Sequence, residues 1–327
     1  MNIAVIGLGK MGLLHACILN TLPGVKISAI CEKQPVVRLF ARKILPGIRI
    51  VNNISALKKM QLNAVYVTTS SASHYAVIKD IYEQMLTKNI FVEKPLCVSY
   101  AQAIELCAVA DKGGGINMVG YNKKFCPTFK KALALLKSGE MGKISYISAT
   151  AYSSDFYGQH RFVPQSYTRG GALRDIGCHL VDLLQWLAGD FQVDRSELEV
   201  RVSQNRYYVD DAKAQLIFEN GVRGDLHVSW CRENYRLPQM DINIKGSDGE
   251  LNVNEYQLKV GKGRNTVIYR KHELEQGVPY FQGDTDYYHE DHRFIEAVMQ
   301  GRGAENSFIS AAKVDRMLDE IVMKGQA

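Results

Sequence analysis

The feature that most constrains the fold is a glycine-rich turn close to the start of the chain. The sequence Gly-Leu-Gly-Lys-Met-Gly begins at Gly7, directly after the apolar run Ile3–Ile6, and leads into a segment with helical spacing. In a strand–turn–helix unit, the first glycine permits a tight turn, the second lets a phosphate approach the backbone, and the third lets the helix pack closely on the strand. The predicted ligand contacts of this turn are Gly7, Gly9, Lys10, Met11 and Gly12.

The residues around the turn favour dinucleotide binding over a glycine turn with only a structural role. A helix N-terminus carries partial positive charge and attracts phosphates. Glu32 lies about twenty residues beyond the glycines, after the second apolar run, where its carboxylate can accept hydrogen bonds from adenosine ribose hydroxyls. Glu32 would repel a 2′-phosphate and so favours NAD, while the neighbouring cation Lys33 leaves NADP open as an alternative.

Up to about residue 120, short apolar runs alternate with amphipathic helical stretches. This alternation is typical of a parallel sheet that is covered by helices on both faces. We therefore predict a doubly wound, Rossmann-type α/β domain over residues 1–120. Its predicted strands are Ile3–Ile6, Lys26–Cys31, Arg49–Val51, Ala64–Thr68, Ile90–Val92 and Asn117–Val119.

The pattern changes after Gly120, where apolar runs separated by hairpin turn signals dominate. Such runs predict a large, mostly antiparallel open sheet, and we expect a second, α+β domain over residues 121–327. The predicted elements include helices over Thr128–Ser138, Gly170–Leu187, His289–Gln300 and Ser310–Lys324, and strands over Lys143–Ser153 and Leu198–Val202.

Composition is that of an ordinary globular protein, with 46% hydrophobic and 23% charged residues and no apolar run near the ~20 residues that cross a bilayer. Met1 leads into a short apolar run without a basic region, which does not support secretion. The seven cysteines are odd in number and never spaced as Cys-x-x-Cys, which argues against a disulfide framework or zinc site. We therefore expect a cytoplasmic protein without a membrane partner.

The net charge of +6 comes without a block of basic residues or an alternation of basic and aromatic residues. We therefore expect no nucleic-acid partner. The densest basic spots are pairs such as Lys123-Lys124, which we interpret as solvated surface.

Two further segments end predicted strands at the same edge of the sheet, which is where ligands bind in open α/β sheets. A hydroxylated run leads from Thr69 to His74, with helix capping by its serines as the alternative role. In Glu93-Lys94-Pro95, the proline favours an extended backbone at Lys94 that would direct the ammonium into the cleft. This tripeptide alone favours the alternative of a surface lysine beside a glutamate. The predicted cofactor contacts from these segments are Thr69, Ser70, His74, Glu93 and Lys94.

A carboxylate and an imidazole, Asp175 and His179, are four residues apart in the second half of the chain. On a helix such residues share a face. Cys178 is a conceivable nucleophile, but adjacent residues point about 100° apart on a helix, so we interpret Cys178 as a small buried residue.

In this order and spacing, the motifs resemble the glucose-fructose oxidoreductase, inositol dehydrogenase and rhizopine catabolism (Gfo/Idh/MocA) family over essentially the whole chain. The resemblance implies a bound NAD or NADP and a sugar, inositol or related polyol as the small-molecule substrate. It implies a dehydrogenase or reductase that interconverts a secondary hydroxyl and a ketone. It also implies a homodimer or homotetramer that assembles through the C-terminal sheet. The motifs are the glycine turn, Glu32, Thr69 to His74, Glu93-Lys94-Pro95, Gly120-Tyr121-Asn122 and Gly171 to His179.

By this resemblance, Lys94 is the active-site lysine, Asp175 the helix carboxylate and His179 the acid/base. Oxidising a secondary alcohol needs a base for the hydroxyl proton, and histidine titrates near neutral pH. Lys94 can stabilise the developing alkoxide, and Asp175 can orient and polarise His179, for which Asp182 is a second candidate partner. Further predicted substrate contacts are Tyr121, Asn122 and Arg161.

Two positions depart from the family pattern. Thr69-Ser70 stands where Thr-Pro is common, which bears on nicotinamide contacts. Lys124 stands where an arginine often follows the Gly-Tyr-Asn segment, and lysine lacks the bidentate geometry of arginine. The charges of Arg161, Arg169 and Arg174 leave room for an anionic group on the substrate.

Two alternatives concern metal and function. The run His289-Glu290-Asp291-His292 has metal-like spacing, but hydride transfer to a nicotinamide needs no metal, and we interpret the acids as a solvated first helical turn. No metal is predicted. A non-catalytic dinucleotide-binding regulator of the same fold is the alternative function, against which intact Lys94, Asp175 and His179 argue.

Overall fold

The computed structural model of the protein describes residues 1–205, 207–275 and 285–325 of the chain. Its residues group into two compact units. The first contains Met1–Tyr121 and Tyr287–Asp315, and the second contains Asn122–Asp286 and the chain from Arg316 onward. The segment Tyr287–Asp315, which the sequence analysis assigns to the second domain, groups with the first unit.

The described residues of the first unit form a six-stranded sheet in the order β3-β2-β1-β4-β5-β6, in which every neighbouring pair is parallel. This arrangement confirms the predicted doubly wound sheet. The strands are β1 (Asn2–Ile6), β2 (Lys26–Cys31), β3 (Arg49–Val51), β4 (Ala64–Val67), β5 (Ile90–Glu93) and β6 (Asn117–Gly120). The connecting helices are α1 (Lys10–Leu19), α2 (Pro35–Ile44), a 3₁₀ turn (Ile54–Leu57), α3 (Ser71–Glu83) and α4 (Tyr100–Gly113).

The central strands of this sheet are buried on both faces. Ile3 to Val5 in β1 and Ala64 to Val67 in β4 have no exposed surface. A parallel sheet that is covered on both sides needs apolar residues at every position, which explains why its strands are readable as continuous apolar runs. The strand order reverses direction between β1 and β4, so the loops that leave these two strands are neighbours at the carboxyl edge.

The described residues of the second unit form an eight-stranded sheet in the order β14-β13-β12-β11-β7-β10-β9-β8. Strands β7 and β10 are parallel, whereas every other neighbouring pair of the described strands is antiparallel, which confirms a mostly antiparallel sheet. The strands are β7 (Ile144–Tyr152), β8 (Phe191–Glu199), β9 (Asp211–Phe218), β10 (Arg223–Ser229), β11 (Gln239–Gly246), β12 (Glu250–Val253), β13 (Gln257–Lys262) and β14 (Asn265–Arg270). The helices are a 3₁₀ turn (Asn122–Phe125), α5 (Pro127–Lys137), α6 (Pro164–Arg169), a π-helical segment (Leu173–Gly177), α7 (Cys178–Ala188) and α8 (Lys271–Leu274), followed by the terminal helices α9 (Asp286–Gln300) and α10 (Phe308–Lys324).

One face of this sheet is apolar and the other polar. In β11, Met240, Ile242 and Ile244 are buried, while the alternate residues Asn243 and Lys245 are exposed. The period of two is that of an antiparallel sheet with one covered face.

The predicted strand over Leu198–Val202 is wrong in position, because β8 runs from Phe191 to Glu199. The backbone amides of Val202 and Ser203 donate to Oδ2 of Asp210 at 2.7 and 3.2 Å. This fully buried carboxylate therefore takes amide protons that a strand would give to a neighbour.

Candidate active site

The glycine turn after β1 has the close packing that its spacing predicts. Gly7 has a φ of +92°, which L side chains rarely adopt. A Cβ on Gly12 would lie 2.0 Å from the carbonyl oxygen of Gly7, so α1 begins in direct contact with the turn. A Cβ on Gly9 would meet no described atom within 4 Å, which leaves the backbone open to a phosphate. Thr68 holds the turn by donating from Oγ1 to the Gly7 carbonyl at 2.6 Å.

Glu32 lies beside this turn. Its Oε2 accepts a hydrogen bond from the amide of Leu8 at 2.7 Å, and its Oε1 accepts one from the amide of Gln34 at 2.8 Å. The two amides orient the carboxylate at the edge of the sheet where the ribose of a dinucleotide binds in this fold. Lys33 is exposed next to it, Lys10 is exposed in the first turn of α1, and Met11 is half-buried there.

The hydroxylated run after β4 begins helix α3. Ser70 is the N-cap residue, but its hydroxyl contacts that of Ser73 at 3.3 Å and does not cap a backbone amide. His74 is fully buried, with Nδ1 2.8 Å from the carbonyl oxygen of Pro95 and Nε2 3.0 Å from that of Thr69. Burial lowers the pKa of His74. The His74 ring therefore joins the loop that follows β4 to the loop that follows β5. Its predicted role in cofactor binding would be to hold these two loops in place.

Glu93 and Lys94 differ in exposure at the end of β5. Glu93 is buried, whereas Lys94 is half-buried. Oε2 of Glu93 accepts a hydrogen bond from the amide of Lys94 at 3.0 Å, and Oε1 lies 2.9 Å from Nε2 of His15. The Glu93 carboxylate is thus engaged inside the first unit.

His15 is a residue that the sequence analysis does not single out. The available signal is its place on the buried face of α1, three residues after Gly12. Its second ring nitrogen, Nδ1, lies 2.8 Å from Oδ1 of Asp291. The interpretation of Glu290 and Asp291 as a solvated helical turn is wrong, because both are fully buried and Asp291 faces the His15 ring.

In the Gly120-Tyr121-Asn122 segment, Tyr121 and Asn122 are both buried but belong to different units. Tyr121 ends the first part of the first unit and is 1% exposed. Asn122 begins the 3₁₀ turn of the second unit and is equally buried, yet neither polar atom of its amide has a hydrogen-bond partner among the described residues. A buried amide without a partner is rare in folded proteins, so Asn122 suits the predicted contact with a polar ligand.

Asp175 lies in the π-helical segment, and not in one regular helix over Gly170–Leu187. A π-helical turn is wider than an α-helical turn and often marks a functional site. The four-residue spacing to His179 therefore does not define a shared face by itself. Asp175 accepts a hydrogen bond from Nε of Arg169 at 2.9 Å, and His179 is 8% exposed at the start of α7.

Asp182, one turn after His179, forms a buried ion pair. Nζ of Lys124 lies 2.7 Å from Oδ1 of Asp182, and both side chains are at most one-tenth exposed. Burial raises the pKa of Asp182 to about 6, although Lys124 acts in the opposite direction. The interpretation of Lys124 as solvated surface is therefore wrong, because its ammonium neutralises an interior carboxylate.

The basic residues before α7 differ in their surroundings. Arg161 is exposed. Arg169 also donates to Oδ2 of Asp155 at 2.7 Å, and Arg174 donates to Asp319. Two of the three cations that suggested an anionic substrate are thus bound to carboxylates of the same unit.

Within residues 1–205, 207–275 and 285–325, no group of three or more His, Cys, Asp or Glu side chains is arranged to hold a metal ion. Nor does any helix in those ranges combine the length and apolar character that a membrane crossing requires.

The loops of the first unit meet in register at one edge of the sheet. Ile6 is level with Val67, and Val67 is level with Val92, so Gly7, Thr68 and Glu93 are the next residues along three adjacent strands. Glu32 follows the neighbouring β2. An open glycine turn, an oriented carboxylate and a lysine at this edge fit a dinucleotide and define an NAD-binding oxidoreductase of the Rossmann class.

Comparison with known proteins identifies the family. A family profile described as an oxidoreductase family with an NAD-binding Rossmann fold matches residues 1–121, and the profile of the GFO/IDH/MocA C-terminal domain matches residues 129–252. The chain belongs to the Gfo/Idh/MocA oxidoreductase family.

Individual relatives are distant in sequence. The chain is 26% identical over 312 residues to scyllo-inositol 2-dehydrogenase (NAD(+)) of Bacillus subtilis, covering 91% of this chain and 86% of that protein. It is 26% identical over 223 residues to the uncharacterized oxidoreductase YrbE of the same organism, covering 66% of this chain but only 63% of that protein. The structure of levoglucosan dehydrogenase in complex with NADH superposes with a TM-score of 0.88 at 18% identity, over 100% of this chain and 97% of that one, which shows a shared fold.

Proposed function

We propose that this protein uses NAD to interconvert a secondary hydroxyl and a ketone on a sugar, an inositol or a sugar derivative. The observation that carries the proposal is the position of Lys94 directly after β5, at the edge where the glycine turn and Glu32 also lie. The names of the relatives support a polyol substrate, since one is an inositol dehydrogenase and a protein of the same fold is a levoglucosan dehydrogenase.

The proposed reaction assigns a task to each of three side chains. The Lys94 ammonium binds the reacting hydroxyl and stabilises the alkoxide that develops as its proton leaves. His179 accepts that proton from the hydroxyl oxygen and returns it in the reverse direction. Asp175 orients His179, and Arg169 holds the Asp175 carboxylate in place. NAD, when bound, supplies the group that accepts the hydride from the carbinol carbon.

The other predicted contacts complete the proposal. The glycine turn, Thr69, Ser70 and the loop held by His74 bind the cofactor, and Glu32 selects NAD over NADP through its charge. Asn122, whose buried amide has no partner among the described residues, is proposed to bind a substrate hydroxyl together with Tyr121 and Arg161.

Assembly and location are part of the same proposal. We infer a homodimer or homotetramer formed through the eight-stranded sheet, in the cytoplasm. The exposed polar face of that sheet, with Asn243 and Lys245 on β11, provides the surface. Light scattering after size-exclusion chromatography tests this assembly, and a monomer at micromolar concentration would contradict it.

The activity is tested with a panel of substrates. Purified protein with NAD is mixed with neutral polyols and sugars, and in parallel with phosphorylated and carboxylated sugars, while absorbance of the reduced nicotinamide is recorded. We expect turnover of at least one neutral polyol. Lys94→Ala and His179→Ala are expected to lower turnover by about 10²–10³-fold while leaving a measurable residual rate. Lys112→Ala, which changes an exposed lysine at the end of α4, should keep full turnover. NAD binding without turnover of any substrate would favour the non-catalytic regulator.

A further inference from the structure

A buried histidine joins three elements of the first unit. His15 on α1 has no exposed surface. Its Nδ1 lies 2.8 and 3.0 Å from the two carboxylate oxygens of Asp291 on α9, and its Nε2 lies 2.9 Å from Oε1 of Glu93 at the end of β5. Both carboxylates are buried as well. One imidazole therefore connects the helix that begins at the glycine turn, the strand that precedes Lys94 and a helix close to the C-terminus.

The contacts fit a doubly protonated ring. A neutral imidazole has one donor nitrogen, whereas an imidazolium has two, and here each nitrogen faces a carboxylate. Burial by itself would lower the pKa of His15, but Asp291 and Glu93 outweigh burial and hold this pKa well above its usual range. The same histidine, against the effect of burial, holds the pKa of Glu93 below its usual range.

Aromatic rings close the surroundings of this cation. The centre of the His15 ring lies 5.1 Å from that of Phe91 and 5.7 Å from that of Tyr66. Phe294 on α9 packs edge-on against both of these rings. Water is therefore kept from the ion pairs, and electrostatic interactions are stronger in such an environment than at a surface.

Glu93 transmits this arrangement to Lys94. One oxygen of its carboxylate faces His15, and the other accepts a hydrogen bond from the Lys94 amide at 3.0 Å. If His15 fixes the orientation of the carboxylate, the carboxylate fixes the backbone from which the Lys94 side chain departs.

We propose that His15 is a positioning residue for Lys94, which it orients through Glu93 while Asp291 holds the imidazolium from the other side. The proposal rests on the proposed function, because it takes Lys94 as the group that binds the reacting hydroxyl. His15 itself contacts neither substrate nor cofactor in this proposal.

The central experiment is a double-mutant cycle between His15 and Lys94. His15→Gln, Lys94→Ala and the double variant are compared with the wild type at saturating NAD and saturating substrate. We expect His15→Gln to lower kcat by at least about tenfold, since small misplacements of catalytic groups cost this much or more, and to change KM for NAD little. In the Lys94→Ala background, His15→Gln should have no further effect on kcat. Equal effects in both backgrounds would overturn the proposal.

A matched control comes from the residue after Asp291. His292 is an exposed histidine that also faces a carboxylate, Glu296, at 3.5 Å. His292→Gln should leave kcat unchanged. Thermal melting is measured for every variant, because His15→Gln leaves two buried carboxylates without their shared cation. A lower melting temperature with unchanged kcat in the folded variant would show a structural role only.

A milder variant covers the case in which His15→Gln does not fold. Asp291→Asn keeps the shape of the side chain and the contact between His15 and Glu93. It is expected to lower kcat by a smaller factor than His15→Gln and to lose this effect in the Lys94→Ala background. Unchanged kcat in folded Asp291→Asn would then overturn the proposal.

A readout that does not depend on activity tests the charge of the ring. Nitrogen-15 chemical shifts of labelled histidine should show both nitrogens of His15 protonated at pH 8, and a neutral ring would overturn the proposal. Failure of the proposed function is distinguishable, because the wild type would then turn over no substrate, or Lys94→Ala would retain full turnover. Failure of the positioning role leaves Lys94→Ala strongly impaired and His15→Gln fully active.

Discussion

Arg169 donates from Nε to Oδ2 of Asp175 at 2.9 Å, so the carboxylate four residues before His179 is held by a cation of its own unit. The guanidinium also bonds Asp155, and its carbon lies 5.3 Å from the centre of the Trp230 ring. An arginine fixed by two carboxylates and an aromatic ring has little freedom to move. It therefore restrains the Asp175 carboxylate.

This relationship predicts that Arg169→Met lowers turnover. Without the cation, Asp175 loses its fixed position, and we expect kcat to fall roughly tenfold, as is typical when a group that orients catalytic side chains is lost. Arg169→Lys should recover only part of it, since lysine has no planar fork. Steady-state rates check this, with exposed Arg236→Met as the unchanged control. Full activity of Arg169→Met would refute a positioning role.

Gly9 and Gly12 differ in the space around them, so alanine should have a different effect at each position. Gly9→Ala meets open space, so the variant should melt like the wild type but bind NAD at least about tenfold more weakly, because the methyl group occupies the phosphate position. Gly12→Ala places a methyl group against the Gly7 carbonyl and should lose about 1–3 kcal/mol of unfolding free energy. Calorimetry and NAD titration measure both. Normal NAD affinity in Gly9→Ala would contradict the assignment of this turn.

Cofactor preference should depend on Glu32. Its carboxylate is oriented by the amides of Leu8 and Gln34 and would repel a 2′-phosphate. We expect the wild type to bind NAD more tightly than NADP and Glu32→Ser to narrow or reverse this difference. Dissociation constants for both cofactors, measured by fluorescence titration, test this. Equal affinities in the wild type would show that Lys33 compensates the charge.

The buried pair of Lys124 and Asp182 predicts a pH-dependent stability. Burial raises the pKa of Asp182 to about 6 in the folded protein, against 3.8 as the ordinary value. The folded state therefore binds this proton more tightly than the unfolded state, and the contribution to stability falls as pH rises from about 4 to 6.

The matched comparison is wild type against Asp182→Asn, which does not titrate. Across that pH window the unfolding free energy of the wild type should decline by about 3 kcal/mol relative to the variant, since each unit of pKa shift corresponds to about 1.4 kcal/mol. Urea unfolding at pH 4, 5, 6 and 7 measures the difference. A difference that does not change with pH would show that Lys124 holds the pKa of Asp182 near its ordinary value.

The sequence by itself determined the class of the first unit. Strand–turn–helix periodicity and glycine spacing are local properties, and the apolar runs of a sheet that is buried on both faces are readable without knowing what covers them. For this reason the predicted and observed bounds of β2 and β3 coincide. The segments around Lys94, Asp175 and His179 are also short and contiguous, but the roles proposed for these residues come from the resemblance to the family and not from periodicity.

Only the tertiary structure decided which charged groups meet. His15 and Asp291 are 276 residues apart in sequence, and nothing local to either indicates the other. Asp291 and Lys124 look like surface residues because charged side chains usually are, and both are buried against partners from distant segments. The prediction of a strand over Leu198–Val202 is wrong for a related reason. The backbone amide of Val202 donates to the carboxylate of Asp210, eight residues later, and not to a neighbouring strand. Long-range charge pairing is set by packing, which periodicity does not encode.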